Sequence, residues 1–500
     1  MSLPLSSSHR RWLFIALFSV LAVRLLTLDA YPFLDTTEAR YGEMARKMLE
    51  TQNWVTPQFD YGVPFWGKPP LATWLSAGSY QLFGVNEFSA RLPSLVLALI
   101  ILALVYSVGR FQRRSELALV ATTMLASSVL FFVAAGAVIM DTALVTGITL
   151  AMVSFWRAIN GASRGWGYAF FIGISIGLLS KGPLTLPLVF IPIGIWAIWQ
   201  GNIRQIIQRI PWFSGSLLIL ALSLPWYILA ELRTPGFLDY FIIGEHWKRF
   251  TISGWQGDLY GSAHAKTRGT IWLYAIAAFL PWSFVLPGLI WRKRNLLKQS
   301  TSQETAWMTY LALWAIIPLL FFTFAGNILA TYTLPSLIPI ALLSAEVWLL
   351  SNRMAVTHKP YRPYALALLA LITPLLLIGL IYLQSSDRIV TRSQKDLVTH
   401  YQQLQTDTNG QLIYLKKRPF SAQYYSHGQA LEAKNWQQIT VYLNNNDRDF
   451  YAIKQDHLSL IGDGWQNKLG LVGYFHGYML LHEIDRNQLM PWEKPQYGDK

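Results

Sequence analysis

The chain has 500 residues, of which 53% are hydrophobic and only 14% are charged, and its formal charge at pH 7 is +14. Soluble globular proteins average about 25% charged residues, so this composition excludes an ordinary soluble domain and indicates a membrane protein. The chain contains no cysteine, which excludes disulfides and thiolate metal sites.

Apolar runs of roughly 17–25 residues, the length that crosses a bilayer, follow one another from the N-terminus to about residue 383. The first run follows "SHRR", as in a signal sequence, but "LTLDAY" is a poor cleavage site and we interpret the run as an anchor. We predict about eleven spans, near residues 11–28, 92–110, 116–135, 142–158, 166–180, 183–200, 212–231, 270–291, 306–324, 329–350 and 363–383.

The short loops predict the orientation of these spans. If the N-terminus lies in the cytoplasm, the cytoplasmic loops carry sixteen Lys and Arg residues against two acids, Glu116 and Glu304. This is the positive-inside pattern, and it explains much of the basic charge without a nucleic-acid partner. An odd number of spans then places the C-terminus on the outer side, with two large outer loops at 29–91 and 232–269.

The first outer loop predicts an amphipathic helix that lies on the membrane. Its apolar face carries Tyr41, Met44, Ala45, Met48 and Leu49, and its opposite, solvated face carries Glu43, Arg46, Lys47 and Glu50.

The tail has a different character and predicts a small periplasmic α/β domain. "SQKDLVTHYQQLQ" predicts a helix, and "QLIYLKK", "QITVYL", "DFYAIK" and "KLGLVGYFHGYMLLHEI" predict strands. The predicted domains are therefore a transmembrane catalytic domain at 1–384 and a periplasmic α/β domain at 385–500.

Several polar side chains are predicted at the outer ends of the spans, at one depth on one side of the membrane. Ionisable residues near a bilayer are costly and usually functional. The group consists of Asp35, Glu38, Lys68, Asp141, Lys181, Glu245, His246, Arg249 and Tyr332.

Most of these residues also have a purely structural interpretation. Asp35 and Glu38 fit a capping box, and Asp141 fits an N-cap. Lys181 fits a cation at a helix C-terminus. His246 and Tyr332 fit ordinary interfacial side chains.

This inventory suits one reaction, the breakage of the anomeric C–O bond of a sugar carried on a polyprenyl phosphate. Charge develops on the departing phosphate, and Lys, Arg and Tyr side chains can bind it. A carboxylate is needed to orient or deprotonate the acceptor, or to support positive charge on the sugar ring.

The motifs resemble the lipid-carrier-dependent glycosyltransferases of the GT-C type, a family that includes the aminoarabinose transferases of lipid A and the protein O-mannosyltransferases. Over roughly residues 10–350 the chain carries, in the family's order, "TEARYGEMARKML", "GKPPLATW", "LFGVNEFSARLPS", "MDTAL", "LLSKGPL", "GEHWKRF" and "ATYTLP".

The resemblance implies a membrane-helix bundle with amphipathic outer helices and a periplasmic C-terminal domain. It also implies catalytic carboxylates in the first outer loop, at Asp35 or Glu38, and at Asp141. The phosphate-binding positions that it implies are Lys68, Arg249 and Tyr332, and we predict Arg40, Tyr41, Lys181 and Glu245 as further substrate-binding residues.

The sequence departs from the family pattern at three places. Thr37 stands where the acid directly before the Glu-x-Arg-Tyr string is expected, so the first carboxylate is either Asp35 or Glu38. Gly67 replaces a glutamate that is linked, together with the counterpart of His246, to zinc. The resemblance therefore leaves open a divalent metal (zinc, magnesium or manganese) at His246. The segment "AGNILATY" lacks the lysines found before the family's tyrosine.

We therefore predict a multi-pass enzyme of the bacterial inner membrane with its active site on the periplasmic side. It moves a sugar from undecaprenyl phosphate to lipid A or another envelope glycan. The alternatives are a protein O-glycosyltransferase, a transporter or flippase of polyprenyl-linked lipids, and a non-catalytic assembly protein. A transporter would place charges near the bilayer midplane, whereas most charges here lie at span ends.

Overall fold

The computed structural model describes residues 7–112, 114–261, 264–284, 302–353, 364–386, 392–405, 410–445, 447–461, 465 and 468–484. The chain divides into two compact units. The helical unit comprises Met1–Ala30 and Lys47–Ile381, and the C-terminal unit comprises Tyr31–Arg46 and Tyr382–Lys500. Part of the first outer loop therefore belongs to the same unit as the tail.

Helices dominate the chain up to residue 385. They are α1 (Ser7–Leu26), α2 (Thr37–Thr51), α3 (Leu71–Phe83), α4 (Glu87–Phe111), α5 (Ser115–Ser127), α6 (Val129–Ala134), α7 (Asp141–Ile159), α8 (Arg164–Lys181), α9 (Thr185–Gln200), α10 (Ile203–Arg209), α11 (Trp212–Arg233), α12 (Arg249–Thr251), α13 (Thr270–Ala278), α14 (Ser302–Thr323), α15 (Leu334–Arg353) and α16 (Ala365–Ser385). A π-helical segment, Asp239–Lys248, precedes α12, and a short hairpin is formed by β1 (Gln58–Asp60) and β2 (Val63–Pro64).

Seven helical stretches within the described residues are long and apolar enough to cross a membrane. They contain eight of the predicted spans, because α8 and α9 form one stretch, Arg164–Gln200. The predicted span at 116–135 is divided between α5 and α6, and the helix in 270–291 ends at Ala278; residues 285–291 lie outside the described part. The chain is thus a mainly helical multi-pass membrane protein, and the count of eleven stays a prediction.

Glycines allow α7 and α8 to pack with their backbones in close contact. A Cβ atom on Gly147 would lie 2.6 Å from the Gly173 carbonyl oxygen, and one on Gly173 would lie 2.5 Å from the Ala151 nitrogen. Small residues at such positions are typical of helix pairs in membranes. The two helices are antiparallel neighbours in the chain, so this packing brings the first residue of α7, Asp141, beside the last residue of α8, Lys181.

The prediction of a solvated face on α2 is wrong. Met44 and Met48 are buried as expected, but Glu43 and Lys47 are fully buried too. Arg46 donates to both oxygens of the Glu43 carboxylate, at 2.7 and 2.8 Å. Lys47 Nζ lies 3.0 Å from the Phe59 carbonyl oxygen. Charged residues can occupy a buried helix face when each one has a partner, which periodicity alone does not reveal.

The C-terminal unit contains a five-stranded mixed sheet in the order β4-β3-β5-β7-β6. Its elements are α17 (Lys395–Gln405), β3 (Leu412–Leu415), α18 (Phe420–Tyr425), β4 (Leu431–Ala433), α19 (Trp436–Tyr442), β5 (Phe450–Lys454), β6 (Leu469–Phe475) and β7 (Tyr478–Glu483). Strand β3 pairs in parallel with β4 and β5, whereas β7 is antiparallel to β5 and β6. All four residues of β3 are buried, as in a central strand covered on both faces.

The predicted α/β character of the tail is confirmed, but one element is wrong. "QITVYL" was predicted as a strand because of its β-branched residues, yet it belongs to α19. Asn435 caps this helix by accepting a hydrogen bond from the Gln438 amide at 3.0 Å. A side-chain cap of this kind stabilises a helix by about 1 kcal/mol, which outweighs the weak β propensity of two or three residues. Strand β4 and helix α18 were not predicted.

Candidate active site

Six of the predicted site residues line one pocket of the helical unit, with about 530 Å³ of empty space when its open mouth is included. Its walls come from the loop before α3, the end of α8, the segment 239–251, the end of α14 and the short 3₁₀ helix before α15. The lining residues are Lys68, Lys181, Leu184, Glu245, His246, Arg249, Phe250, Phe322, Ala325, Asn327 and Tyr332.

Asp141 reaches the pocket through Lys181. The Lys181 ammonium donates to Asp141 Oδ1 at 2.6 Å, and both side chains are largely buried, with 7% and 13% exposed. The N-cap residue of α7 is Met140, so the position of Asp141 and its partner do not favour the capping interpretation. Lys181 does end α8, as the alternative interpretation required, but it also holds the aspartate.

A carboxylate joins the two predicted phosphate-binding cations. Lys68 Nζ donates to Glu245 Oε2 at 2.8 Å, and Arg249 Nη1 lies 3.0 and 3.1 Å from the two Glu245 oxygens. The Glu245 side chain is only 2% exposed, whereas about a fifth of each cation is exposed. Burial by itself would raise the pKa of Glu245, but the charges of Lys68 and Arg249 outweigh it and lower that pKa.

Tyr332 lies beside these charges. Its ring stacks on Phe322 with centroids 4.7 Å apart, and Lys181 Nζ lies 4.9 Å from the centre of the Tyr332 ring. A cation over an aromatic face is attracted by the ring quadrupole. The interaction connects Tyr332 with the Lys181–Asp141 pair, so the two sets of predicted residues form one cluster.

His246 connects two segments through both of its ring nitrogens. Nδ1 lies 2.7 Å from the Phe241 carbonyl oxygen and Nε2 lies 2.9 Å from the Lys181 carbonyl oxygen. Burial lowers the pKa of His246. Both nitrogens face backbone carbonyl oxygens, and the ring links the π-helical segment to the end of α8.

Four candidates from the first outer loop, Asp35, Glu38, Arg40 and Tyr41, belong to the C-terminal unit. Asp35 Oδ1 accepts from the Ser421 amide at 3.0 Å, and Oδ2 accepts from the Ser421 hydroxyl. Burial raises the pKa of Asp35, although the bonds from Ser421 act in the opposite direction. The Arg40 guanidinium lies 5.0 Å from the centre of the Tyr41 ring. Glu38 lies in the first turn of α2.

Three polar residues beside the pocket cations were missed by the sequence analysis. Asp258 Oδ2 lies 3.2 Å from Arg249, and the Tyr240 hydroxyl donates to Glu245 at 3.3 Å. The Asn327 amide donates to the Arg249 carbonyl oxygen at 2.7 Å. Asp258 and Asn327 stand among glycines in "QGDLYG" and "AGNI", and an isolated polar residue in a tight outer segment was the available signal.

The first part of the chain is similar to a known family. Residues 7–241, just under half of the chain, match the family of dolichyl-phosphate-mannose-protein mannosyltransferases, PMT. The match covers α1 to α11 and the start of the π-helical segment, and so includes Lys68, Asp141 and Lys181.

The curated relatives that this chain matches include undecaprenyl phosphate-alpha-4-amino-4-deoxy-L-arabinose arabinosyl transferases. The protein from Erwinia tasmaniensis is 32% identical over 340 residues, which are 64% of this chain and 56% of that protein. One from Pseudomonas fluorescens is 28% identical over 406 residues, or 78% and 67% of the two chains. The chain thus spans little more than half the length of the first curated relatives that it matches.

Solved structures share the fold of this chain. ArnT from Cupriavidus metallidurans, in its crystal structure bound to undecaprenyl phosphate, superposes with a TM-score of 0.77 at 18% identity, over 95% of this chain and 98% of that one. The archaeal oligosaccharyltransferase AglB from Archaeoglobus fulgidus gives 0.52 at 12% identity, over 90% and 69%.

The residues around His246 do not fit the metal that the resemblance left open. Gly67 supplies no ligand, and His246 is held by two carbonyl oxygens. Among the described residues, no group of three or more His, Asp or Glu side chains could hold a metal ion. A metal site normally takes three or four protein ligands, which the described residues around His246 do not supply.

Proposed function

We propose that the protein transfers a sugar, of the aminoarabinose type, from undecaprenyl phosphate to lipid A on the periplasmic face of the bacterial inner membrane. The observation that carries this proposal is the single pocket that gathers Lys68, Arg249, Lys181 and Tyr332 beside Asp141. The names of the curated relatives support the donor and the sugar.

The reaction exchanges one anomeric bond for another. An acceptor oxygen attacks C1 of the sugar, and the bond from C1 to the phosphate oxygen breaks with inversion at C1. The electron pair of that bond leaves with undecaprenyl phosphate. Negative charge therefore develops on the phosphate, so groups that bind it more tightly in the transition state than in the ground state accelerate the reaction.

Lys68 and Arg249 are assigned to this phosphate, with Tyr332 as a further hydrogen-bond donor. The two cations approach the same point, since both contact the Glu245 carboxylate within 3.1 Å. A phosphate oxygen resembles a carboxylate oxygen in charge and in hydrogen-bonding capacity. The position of Glu245 therefore marks where the donor phosphate would be bound.

Asp141 is assigned to the acceptor or the sugar ring, and Lys181 positions it through their 2.6 Å contact. If the acceptor is a phosphate of lipid A, it is already nucleophilic and Asp141 orients it. If the acceptor is a hydroxyl, Asp141 is the base that removes its proton.

For the first-loop carboxylate we favour Glu38. Both oxygens of Asp35 accept hydrogen bonds from Ser421, which gives Asp35 a structural task within the C-terminal unit. Arg40 and Tyr41 follow Glu38 on α2 and are proposed to assist it in substrate binding.

The proposal includes the predicted topology. The N-terminus lies in the cytoplasm, about eleven spans cross the inner membrane, and 1–384 and 385–500 act as the catalytic and periplasmic domains. The positive-inside pattern of the loops supports this orientation.

A second candidate is a protein O-glycosyltransferase, which the description of the matching family favours. It would use the same donor chemistry and differ only in the acceptor, a serine or threonine hydroxyl.

Mass spectrometry of lipid A tests the proposal. Cells that lack the protein should lose a sugar-sized mass from lipid A, and the wild-type chain should restore it. Asp141→Asn should reduce restoration at least about 100-fold. Asp239→Asn, at an exposed position in the same unit, should restore it fully.

Unchanged lipid A in the deletion would exclude the lipid A acceptor, and a sugar mass lost from envelope proteins would support the second candidate. Full restoration by Asp141→Asn would remove that residue from the site.

A further inference from the structure

The C-terminal unit has a second concentration of charge, at the carboxyl ends of its three parallel strands. Leu415 of β3 is paired with Ala433 of β4, so the next residues, Lys416 and Lys434, lie side by side. The Lys416 amide donates to the Ala433 carbonyl oxygen at 2.6 Å. Extending the register of β3 with β5 by two residues beyond the last pair brings Lys454 level with Lys416.

Three lysines therefore follow one another across adjacent strands, whose backbones are about 4.8 Å apart. Like charges in direct opposition destabilise a sheet. Lys454 has a partner, because its ammonium lies 2.5 Å from Asp456. Lys416 and Lys434 are exposed, and within the described part of the C-terminal unit no ion pair is found for either.

The chain order of the sheet reverses at this place. Strand β3 comes first in the chain, β4 lies on one side of it and β5 lies on the other. In open α/β sheets, ligands bind outside the carboxyl ends of the strands at such a reversal. Lys416 directly follows β3 and Lys454 ends β5, and these are the two strands on either side of the reversal.

Two local features indicate a binding site here rather than an ordinary charged edge. Lys416 has a φ of +74°, a left-handed conformation that is uncommon for residues other than glycine and concentrates at functional sites. His457 Nδ1 is buried and has no hydrogen-bond partner among the described residues. Burial and the charges of Lys416 and Lys454 lower the pKa of His457.

Other groups at this edge are already engaged. The Arg418 guanidinium donates to the Ala430 carbonyl oxygen at 2.6 Å, and Glu432 accepts from the Arg418 amide at 2.9 Å. Glu432 and Asp456 are the acids at this edge, and their contacts are local. Because neither acid contacts Lys416 or Lys434 within the described residues, these two lysines face solvent.

We propose that this edge binds the phosphate group of an anionic ligand, through Lys416, Lys434 and Lys454. The ligand class is a phosphate ester on a sugar or on a lipid headgroup. The assignment does not rest on the proposed transfer reaction, because these residues are distinct from those of the pocket.

The test uses the full chain in nanodiscs of phosphatidylcholine. The probe is a water-soluble glucosamine disaccharide that carries two phosphates, and binding is measured by titration calorimetry. The same disaccharide without phosphates is the chemical control. The test variant combines Lys416→Gln with Lys434→Gln. The matched control combines Arg448→Gln with Lys468→Gln, two exposed cations of the same unit that precede the amino ends of β5 and β6, at the opposite end of the sheet.

We expect the phosphorylated probe to bind and its affinity to fall at least about fivefold in the test variant, with no change in the control. Both pairs are repeated with Lys68→Gln, which weakens binding at the pocket. The effect of the edge variant should persist on that background. Loss of probe binding through Lys68→Gln alone would assign the binding to the pocket and overturn this proposal while supporting the transferase.

Nanodiscs that contain phosphatidylglycerol distinguish the two sources of phosphate. If lipid headgroups occupy the edge, they will weaken probe binding to the wild type but not to the test variant. If soluble phosphate esters are the ligand, probe binding will be unchanged. Equal affinity of the wild type and the test variant, or an equal loss in the control pair, would contradict the proposal.

Discussion

At the scale of single residues, Glu245 is the unexpected member of the pocket. It was predicted as one of several substrate-binding side chains, and its carboxylate contacts both Lys68 and Arg249, the two cations proposed to bind the donor phosphate. Lys68 and Arg249 would otherwise be adjacent cations in a partly buried place, which is unfavourable. A phosphate that enters the pocket must therefore compete with Glu245 for the same two side chains.

We predict that Glu245→Gln tightens the binding of undecaprenyl phosphate several-fold and lowers turnover. The variant removes the competing charge, so the lipid product would leave more slowly. It should also destabilise the protein by about 3 kcal/mol, because two cations lose their partner. Fluorescence titration with undecaprenyl phosphate, a turnover assay and thermal unfolding measure the three effects, with Asp239→Asn as the control. Weaker or unchanged binding of the lipid would refute the competition.

The pH dependence of thermal stability provides a second test, with the wild type and the Glu245→Gln variant compared. Because the pKa of Glu245 is lowered in the folded state, its ion pairs contribute stability above the ordinary glutamate pKa of about 4.3. This contribution is lost as the pH falls through the folded-state pKa. The difference in Tm between the wild type and Glu245→Gln should therefore be largest at neutral pH and should shrink in acid. A difference in Tm that stays the same at every pH would contradict the assignment of a negative charge to Glu245.

At the scale of secondary-structure elements, the position of Asp141, the proposed catalytic aspartate, depends on the packing of α7 against α8. The sequence indicated both helices and both end residues, Asp141 and Lys181. Periodicity could not show that glycines bring the two backbones into contact, or that the lysine at the end of one helix meets the aspartate at the start of the other. The geometry of the site therefore depends on residues that lie several turns away from it.

We predict that Gly173→Ala destabilises the protein by about 1–3 kcal/mol, the usual cost of overpacking, and reduces transfer activity. The added methyl group would lie 2.5 Å from the Ala151 nitrogen, so α7 and α8 must move apart and the Lys181–Asp141 contact must lengthen. Gly194→Ala in α9 is the control, because a Cβ atom there meets nothing within 4 Å. Unfolding temperatures and activity that are equal for the two variants would disprove the role of this contact.

At the scale of the whole molecule, the C-terminal unit includes a segment from near the start of the chain. Residues 31–46 belong to it, and the Phe33 amide donates to the Tyr425 hydroxyl at 2.8 Å. Asp35 adds its two bonds to Ser421. The tail therefore folds with the part of the first outer loop that precedes and begins α2.

We predict that Ser421→Ala lowers the stability of the C-terminal unit by about 1.5–3 kcal/mol, since it removes a hydrogen bond to a buried carboxylate. Hydrogen exchange should be faster both in residues 31–46 and in the tail. Ser459→Ala, at an exposed position of the same unit, should leave exchange unchanged. Faster exchange in the tail with no change in 31–46 would show that the two segments are not coupled through Asp35.

The sequence by itself determined the membrane class, the positions of most spans, the α/β tail and the identity of the pocket residues. Hydropathy, charge asymmetry and local motifs depend on residues near one another in the chain, and these properties are readable without coordinates. The same local reasoning failed for α19, where a single cap outweighed strand propensity, and for the face of α2 that carries Glu43 and Lys47.

Only the tertiary structure decided which side chains meet. Lys68 and Glu245 are far apart in the chain but 2.8 Å apart in space, and Asp35 meets Ser421 from the opposite end of the chain. Such contacts depend on how helices and strands pack, and packing is a property of several segments together. For this reason the residue types that line the pocket were predictable from the sequence, whereas the partners of these residues were not.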